Sequence, residues 1–146
     1  MNSIKHTAPS GAAVEITLSE FQIGFDLMRA VLKAARAGGI GSKMPEKLSD
    51  LAGLANKDVK EIAGFIDIII DILASKEVED LIYKCFEKCT YNNARITRDT
   101  WDKEDARGDF LWVAYIVGFE NIRPFVSHLL SGLKTTFPAA KNDSRQ

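Results

Sequence analysis

The chain has 146 residues, of which 46% are hydrophobic and 27% are charged, a balance that is typical of one ordinary globular domain. Lysine and arginine together number 19 against 20 aspartates and glutamates, so the net charge of -1 provides no global field that would recruit nucleic acid or an anionic membrane. A binding partner must therefore be recognised by a local surface.

The sequence predicts a soluble protein with reduced thiols. The apolar run "FLWVAYIVGF", residues 110–119, is about half as long as a membrane-spanning helix needs to be, and Asp109 and Glu120 bound it. The N-terminus lacks the basic and then apolar regions of a secretory signal, so we expect a cytoplasmic location. Cys85 and Cys89 are four residues apart, which is a poor helical geometry for a disulfide, and we expect both to be small buried apolar residues.

The ends of the chain differ in composition from its middle. Residues 1–16 are rich in small and polar types and predict a flexible N-terminal segment, and residues 138–146 predict a flexible C-terminal tail. Residues 17–137 are dominated by helix signals, and we interpret them as a single helical domain.

Helix starts are marked by residues that cap or open a helical turn. A possible capping box at Thr17 and Glu20 precedes the first amphipathic helix, which should end at two consecutive glycines. Pro45 suits the first turn of a short second helix. Asn56 and Ser75 are placed to cap the third and fourth helices.

The last third of the chain contains one long connection and a final helical region. The segment "TYNNARITRDTWDK" breaks the periodicity and predicts either a loop or a small hairpin-like excursion. The next helix should begin near Trp101 or Asp102 and kink or restart at Pro124, with Asn121 capping a last helix. This last helix continues through Phe125, Leu129 and Leu133.

These elements predict an all-α fold, a compact helical bundle of about five to six helices without a sheet of three or more strands. The residues on the inner stripes should be mainly buried: Phe21, Phe25, Met28, Ile62, Ile66, Ile69, Leu81, Cys85 and Phe86.

The sequence offers little material for catalysis. His6 and His128 are the two histidines, and they lie far apart in the chain, so a histidine acid/base pair or a metal triad is not expected. Cys85 and Cys89 lack further metal ligands nearby, and "GGIGSKM" follows a helix instead of a strand, unlike known phosphate-binding loops. We expect no enzyme activity, no metal and no cofactor.

Residues 48–67 have the apolar rhythm of a helix-turn-helix, which makes a DNA-binding regulator the alternative function. The second of these two helices, however, has more acidic than basic residues, whereas contact with phosphates needs the opposite balance. Two helices packed within a bundle are the favoured interpretation.

The two ends of the helical region, "ITLSEFQIGFDLMRAVLKAA" and "DFLWVAYIVGFENIRPFVSHLLSGL", together resemble the tail assembly chaperones of long-tailed bacteriophages. In that family an acidic residue and an aromatic-rich helix precede an Asn, a Pro and a Phe that open a last helix. The matching residues here are Asp109, Trp112, Tyr115, Asn121, Pro124 and Phe125. The middle of the chain is similar to the family only in its helical character.

The resemblance implies a non-enzymatic assembly factor in the cytoplasm of an infected host cell, absent from the mature virion. Its partners would be the long, aggregation-prone tape measure protein and the tail tube protein, with self-association as a further candidate and no nucleic acid or membrane. We expect the partner-binding residues to include Trp101, Asp109, Trp112, Tyr115, Phe119, Asn121, Pro124 and Phe125. Which of these aromatic residues lie in the core and which face a partner is left open by the sequence.

Overall fold

The computed structural model describes residues 3–37 and 59–136. Their elements are, in chain order, β1 (Ile4–Thr7), β2 (Ala13–Ile16), α1 (Phe21–Ala37), α2 (Val59–Leu73), α3 (Lys76–Phe86), β3 (Cys89–Tyr91), β4 (Ala94–Arg95), a 3-10 helix (Arg98–Asp102) and α4 (Glu104–Thr136). The fold is therefore mixed α/β, and the prediction of an all-α bundle of five to six helices is wrong.

The four strands form one antiparallel sheet in the order β1-β2-β3-β4. Gly11, which has a φ of +96°, supports the turn between β1 and β2. Asn92 and Asn93, with φ values of 50° and 68°, form the two-residue turn between β3 and β4, because asparagine tolerates the left-handed backbone that such hairpins need. The hairpin alternative is thus confirmed for the first part of residues 90–103, and the second part contains the 3-10 helix Arg98–Asp102.

The sheet was missed because its strands are short and their main partner is distant in sequence. In β2, Val14 and Ile16 are buried while Ala13 is exposed, but four residues of alternation give a weak signal. Val14 pairs with Tyr91 of β3, so the segment expected to be a flexible end contributes two strands to the sheet. The spacing of Cys85 and Cys89 was interpreted as helical, but α3 ends at Phe86 and Cys89 begins β3.

Among the helices, local cap chemistry predicted α3 correctly. The Ser75 hydroxyl accepts a hydrogen bond from the Val78 amide at 3.3 Å, as expected of an N-cap. By contrast, α4 continues through Pro124, so the predicted restart of the helix there is wrong. The short helix predicted at Pro45 and the Asn56 cap lie outside the described residues.

The core lies where the inner face of the sheet meets α1, α3 and α4. Its largest fully buried side chains include Phe86, Ile16, Leu27, Val113 and Val117. The burial of these side chains is the main favourable contribution to folding.

The expected core residues divide into several groups. Cys85 and Phe86 are fully buried as predicted, whereas Phe21 is 69% exposed and Ile66 is 40% exposed. The half-buried members of the set are Phe25, Met28, Ile69 and Leu81, and the Ile62 side chain lies outside the described part. Periodicity identified a face of each helix but not how far the core extends along it.

Candidate partner-binding surface

The Asp109 side chain forms hydrogen bonds that connect α4 to the β1–β2 turn and to β3. Its carboxylate is 2% exposed and accepts hydrogen bonds from the Ser10 amide at 3.1 Å, from the Ser10 hydroxyl, and from the Tyr91 hydroxyl at 2.6 Å. Burial and then the hydrogen bond to Asp109 raise the pKa of Tyr91, so this hydroxyl stays protonated and donates. Asp109 therefore fastens the β1–β2 turn and β3 to α4.

A second buried carboxylate on α4 holds strand β1. His6 Nε2 lies 2.9 Å from Glu120 Oε2, and Arg123 Nε donates to Glu120 Oε1 at 3.2 Å. The Trp112 ring stands edge-on to the His6 imidazole with a centroid distance of 6.0 Å. Trp112 is half-buried and supports this contact of the N-terminal segment.

Asn121 has a different role from the predicted one. Its Oδ1 accepts hydrogen bonds from the Ser19 amide at 2.9 Å and the Ser19 hydroxyl at 2.8 Å, while its Nδ2 donates to the Val117 carbonyl at 2.9 Å. The prediction that Asn121 caps a last helix is wrong, because Asn121 lies inside α4. Its side chain instead accepts hydrogen bonds from Ser19, which lies two residues before α1. Asp109 and Asn121 are thus buried and bound to residues that precede α1, Ser10 and Ser19 respectively.

Trp101 lies in the core of the fold. It is 8% exposed, and its ring centroid is 5.2 Å from that of Phe110, 5.7 Å from Tyr91 and 5.8 Å from Phe86. A side chain enclosed by three rings has little surface left for a partner. Trp101 therefore contributes to packing.

Tyr115 and Phe119 form a stacked pair with ring centroids 6.0 Å apart, and both are half-buried. Burial raises the pKa of the Tyr115 hydroxyl, and the nearby Glu120 carboxylate acts in the same direction. The pair lies one to three turns before Pro124 on α4.

Pro124 and Phe125 line a groove between the start of α1 and the middle of α4. The groove encloses about 150 Å³, and its other lining residues are Leu18, Ser19, Glu20, Phe21, Gly24 and Asn121. The structure thus brings three of the predicted binding residues, Asn121, Pro124 and Phe125, to one depression.

A cluster of three phenylalanines flanks this groove. The rings of Phe21, Phe25 and Phe125 lie 5.7–5.8 Å apart, and the Arg29 guanidinium lies 4.8 Å over Phe25. Because Phe21 is largely exposed, the cluster presents an aromatic edge to solvent.

Beyond Phe125, α4 extends away from the described core. Every residue from Val126 to Thr136, here called the α4 arm, is exposed. Its large apolar residues are Val126, Leu129, Leu130 and Leu133. Their spacing of three, four and seven residues places them on one side of the helix, and Ser127, His128, Ser131 and Thr135 occupy the other.

We call the phenylalanine cluster, the groove and the apolar side of the α4 arm together the apolar surface. The set of binding residues predicted from the sequence does not include Leu129, which is 61% exposed. The signal that could have found it is the leucine stripe that continues after Pro124 at Leu129, Leu130 and Leu133.

The two cysteine thiols have low reactivity. Both thiols are free and buried, and burial raises the pKa of Cys85 and raises that of Cys89 to about 12. A thiol that keeps its proton at neutral pH is a poor nucleophile and a poor metal ligand.

Stability should fall as the solution becomes alkaline, and Cys89 should contribute to this fall. The unfolded chain releases the thiol proton near its ordinary pKa, whereas the folded chain holds it up to about pH 12. The contribution is thus complete below pH 9 and is lost as pH rises, by about 2 kcal/mol near pH 10.5. Urea unfolding at neutral pH and near pH 10.5 would measure it. Cys89→Ala should have a shallower pH dependence, and an equal slope in both proteins would contradict the expectation.

Within residues 3–37 and 59–136, no group of three or more His, Cys, Asp or Glu side chains is arranged to hold a metal ion. In the same part of the chain, none of the helices combines the length and apolar character needed to cross a membrane. No protein-family model, curated protein or solved structure matches the chain.

Proposed function

We propose that this protein is a non-enzymatic phage tail assembly chaperone that binds an amphipathic helix of the tape measure protein on its apolar surface. It acts in the cytoplasm of the infected host cell, helps recruit tail tube subunits and leaves before the virion is complete. The role in tail assembly is proposed from the resemblance, and the binding of an amphipathic helix is proposed from the apolar surface.

The α4 arm is the observation that supports this proposal most directly. An amphipathic helix normally covers its apolar side, because exposed apolar area costs free energy in water. Here Leu129, Leu130 and Leu133 are exposed together, and Phe125, one turn before Leu129, contacts the exposed Phe21 ring. Large contiguous apolar patches of this kind mark interaction sites.

The form of the surface favours a helical partner. A helix laid along the α4 arm can place apolar side chains at every third or fourth position against the stripe, as in other helix-in-groove complexes. Phe125, one turn before Leu129, extends the stripe toward Phe21, and the centroids of these two rings are 5.7 Å apart. Tape measure proteins are long and helical according to the resemblance, so they offer such segments.

Leu129→Ala should weaken binding of the tape measure protein encoded in the same genome by about thirtyfold, which corresponds to about 2 kcal/mol. The folding stability should change little, because Leu129 is exposed in the free protein and few of its contacts are internal. Co-expression followed by affinity capture, with the soluble fraction of the tape measure protein as a second readout, would measure the effect.

Thr135→Ala is the matched control, because Thr135 is exposed on the polar side of the same arm and lies eleven residues beyond Pro124. This variant should bind like the unaltered protein. If the unaltered protein neither captures the tape measure protein nor keeps it soluble, the chaperone function is wrong. If Leu129→Ala binds as well as Thr135→Ala, the α4 arm is not the contact.

A further inference from the structure

The charged residues beside the stripe of Leu129, Leu130 and Leu133 are all positive. From Asn121 to Thr136 the chain contains Arg123 and Lys134 and no aspartate or glutamate. These two cations are separated by eleven residues, which is about three helical turns and about 16 Å. Leu130 lies on the same line, seven residues after Arg123 and four before Lys134, so the two cations border the stripe along one edge.

Neither cation is hidden from a partner. Arg123 pairs with Glu120, but that carboxylate is buried and faces His6 as well, while about half of the Arg123 side chain is exposed. Lys134 is exposed and forms no ion pair within the part of the chain that the structure describes. The edge therefore presents positive charge to any helix on the stripe.

A second copy of this chain in an antiparallel arrangement is a poor occupant for the stripe. In an antiparallel helix pair related by a two-fold axis, each flanking edge faces the same edge of the other helix. Arg123 of one copy would then approach Lys134 of the other, and like charges in such positions disfavour pairing. The same edge would instead attract carboxylates.

We infer that the occupant of the apolar surface is a partner helix whose apolar stripe is bordered by acidic residues, an inference that rests on the proposed function. The carboxylates lie against Arg123 and Lys134, about eleven residues apart along the partner. Between these two positions the apolar side chains of the partner contact Leu129, Leu130 and Leu133.

Glu20 sets a limit on where the acidic residues lie. It lines the groove at the start of α1 and would repel a carboxylate placed over the groove itself. The acidic border of the partner helix thus follows the α4 edge and avoids the groove, which gives the contact a preferred orientation.

Two synthetic helical peptides of about 18 residues test this inference, because that length covers the α4 arm and the groove. Both have the same apolar stripe, and the border positions are glutamate in one and lysine in the other. Fluorescence anisotropy with the full chain should show that the glutamate peptide binds at least about fivefold more tightly at low salt. The difference should shrink as salt is added.

Lys134→Glu should abolish or reverse the preference for the glutamate peptide. Lys103→Glu changes the net charge equally at an exposed position outside the stripe, and should leave the preference intact. Equal binding of the two peptides, or an equal effect of the two variants, would contradict the inference that the partner helix has an acidic border. It would not contradict the proposal that a helix binds to the stripe. If neither peptide binds, the inference is also wrong, and the tape measure capture assay decides the proposed function separately.

Discussion

Replacing Trp101 by alanine should lower the free energy of unfolding by about 3–5 kcal/mol. The ring is 8% exposed and is enclosed by Phe86, Tyr91 and Phe110, so its removal leaves a large cavity among side chains from α3, β3 and α4. Such a cavity collapses only in part, and the surrounding rings lose dispersion contacts as well as burial. Equilibrium unfolding in urea would measure the loss.

Trp101→Phe is the matched control because it keeps an aromatic ring in the same space. It should lose clearly less stability than the alanine variant. The same pair of variants tests the initial assignment of Trp101 to partner binding. If Trp101→Ala kept its stability and lost binding of the tape measure protein, the core placement would be wrong and a direct contact would replace it.

Local chemistry explains which parts of the fold could be predicted from the sequence. Ser75 was identified as a helix cap because its hydroxyl satisfies an amide only three residues away. The four-stranded sheet depends on pairing between β2 and β3, which are separated by α1, α2 and α3, because each of the two hairpins alone would be marginally stable at best. No local pattern contains that information.

The same distinction applies to the candidate surface. Pro124 and Phe125 were expected to meet a partner and do line the groove, because neighbours on one helix remain neighbours in the fold. Phe21 was expected in the core and instead forms the exposed wall opposite them. Periodicity indicates which face of α1 is apolar, but only tertiary packing decides which part of that face is covered.

The contacts of Asp109 and Asn121 within the fold could not be predicted from the sequence. An acidic residue and an asparagine beside an aromatic helix resemble a binding motif, and in the structure both also accept hydrogen bonds from residues that precede α1, Ser10 and Ser19. Their hydrogen-bond partners, Ser10, Ser19 and Tyr91, are far away in the sequence. A buried polar residue can be distinguished from an exposed one only when such distant partners are known.

Asp109→Ala should destabilise the fold by about 3 kcal/mol, and the loss should be concentrated in the N-terminal segment. The variant leaves the buried Tyr91 hydroxyl without its acceptor, which costs about 1–3 kcal/mol, and it also removes hydrogen bonds to a charged group. Two factors reduce this loss of stability. Ser10 is exposed and can form hydrogen bonds with water instead, and the alanine variant no longer has a carboxylate to desolvate on folding. Urea unfolding gives the overall loss, and hydrogen exchange of the β1 and β2 amides locates it.

Asp109→Asn separates the fold from a direct contact with a partner. The amide keeps the shape of the side chain and one acceptor oxygen for Tyr91, so we expect a smaller loss of about 1–2 kcal/mol. Because α1 begins directly after the segment that Asp109 and Asn121 hold in place, the alanine variant should also loosen the Phe21 wall of the groove and weaken binding indirectly. The asparagine variant should retain binding under conditions in which it is fully folded. A stable Asp109→Asn protein that no longer binds the tape measure protein would show instead that the carboxylate itself contacts the partner.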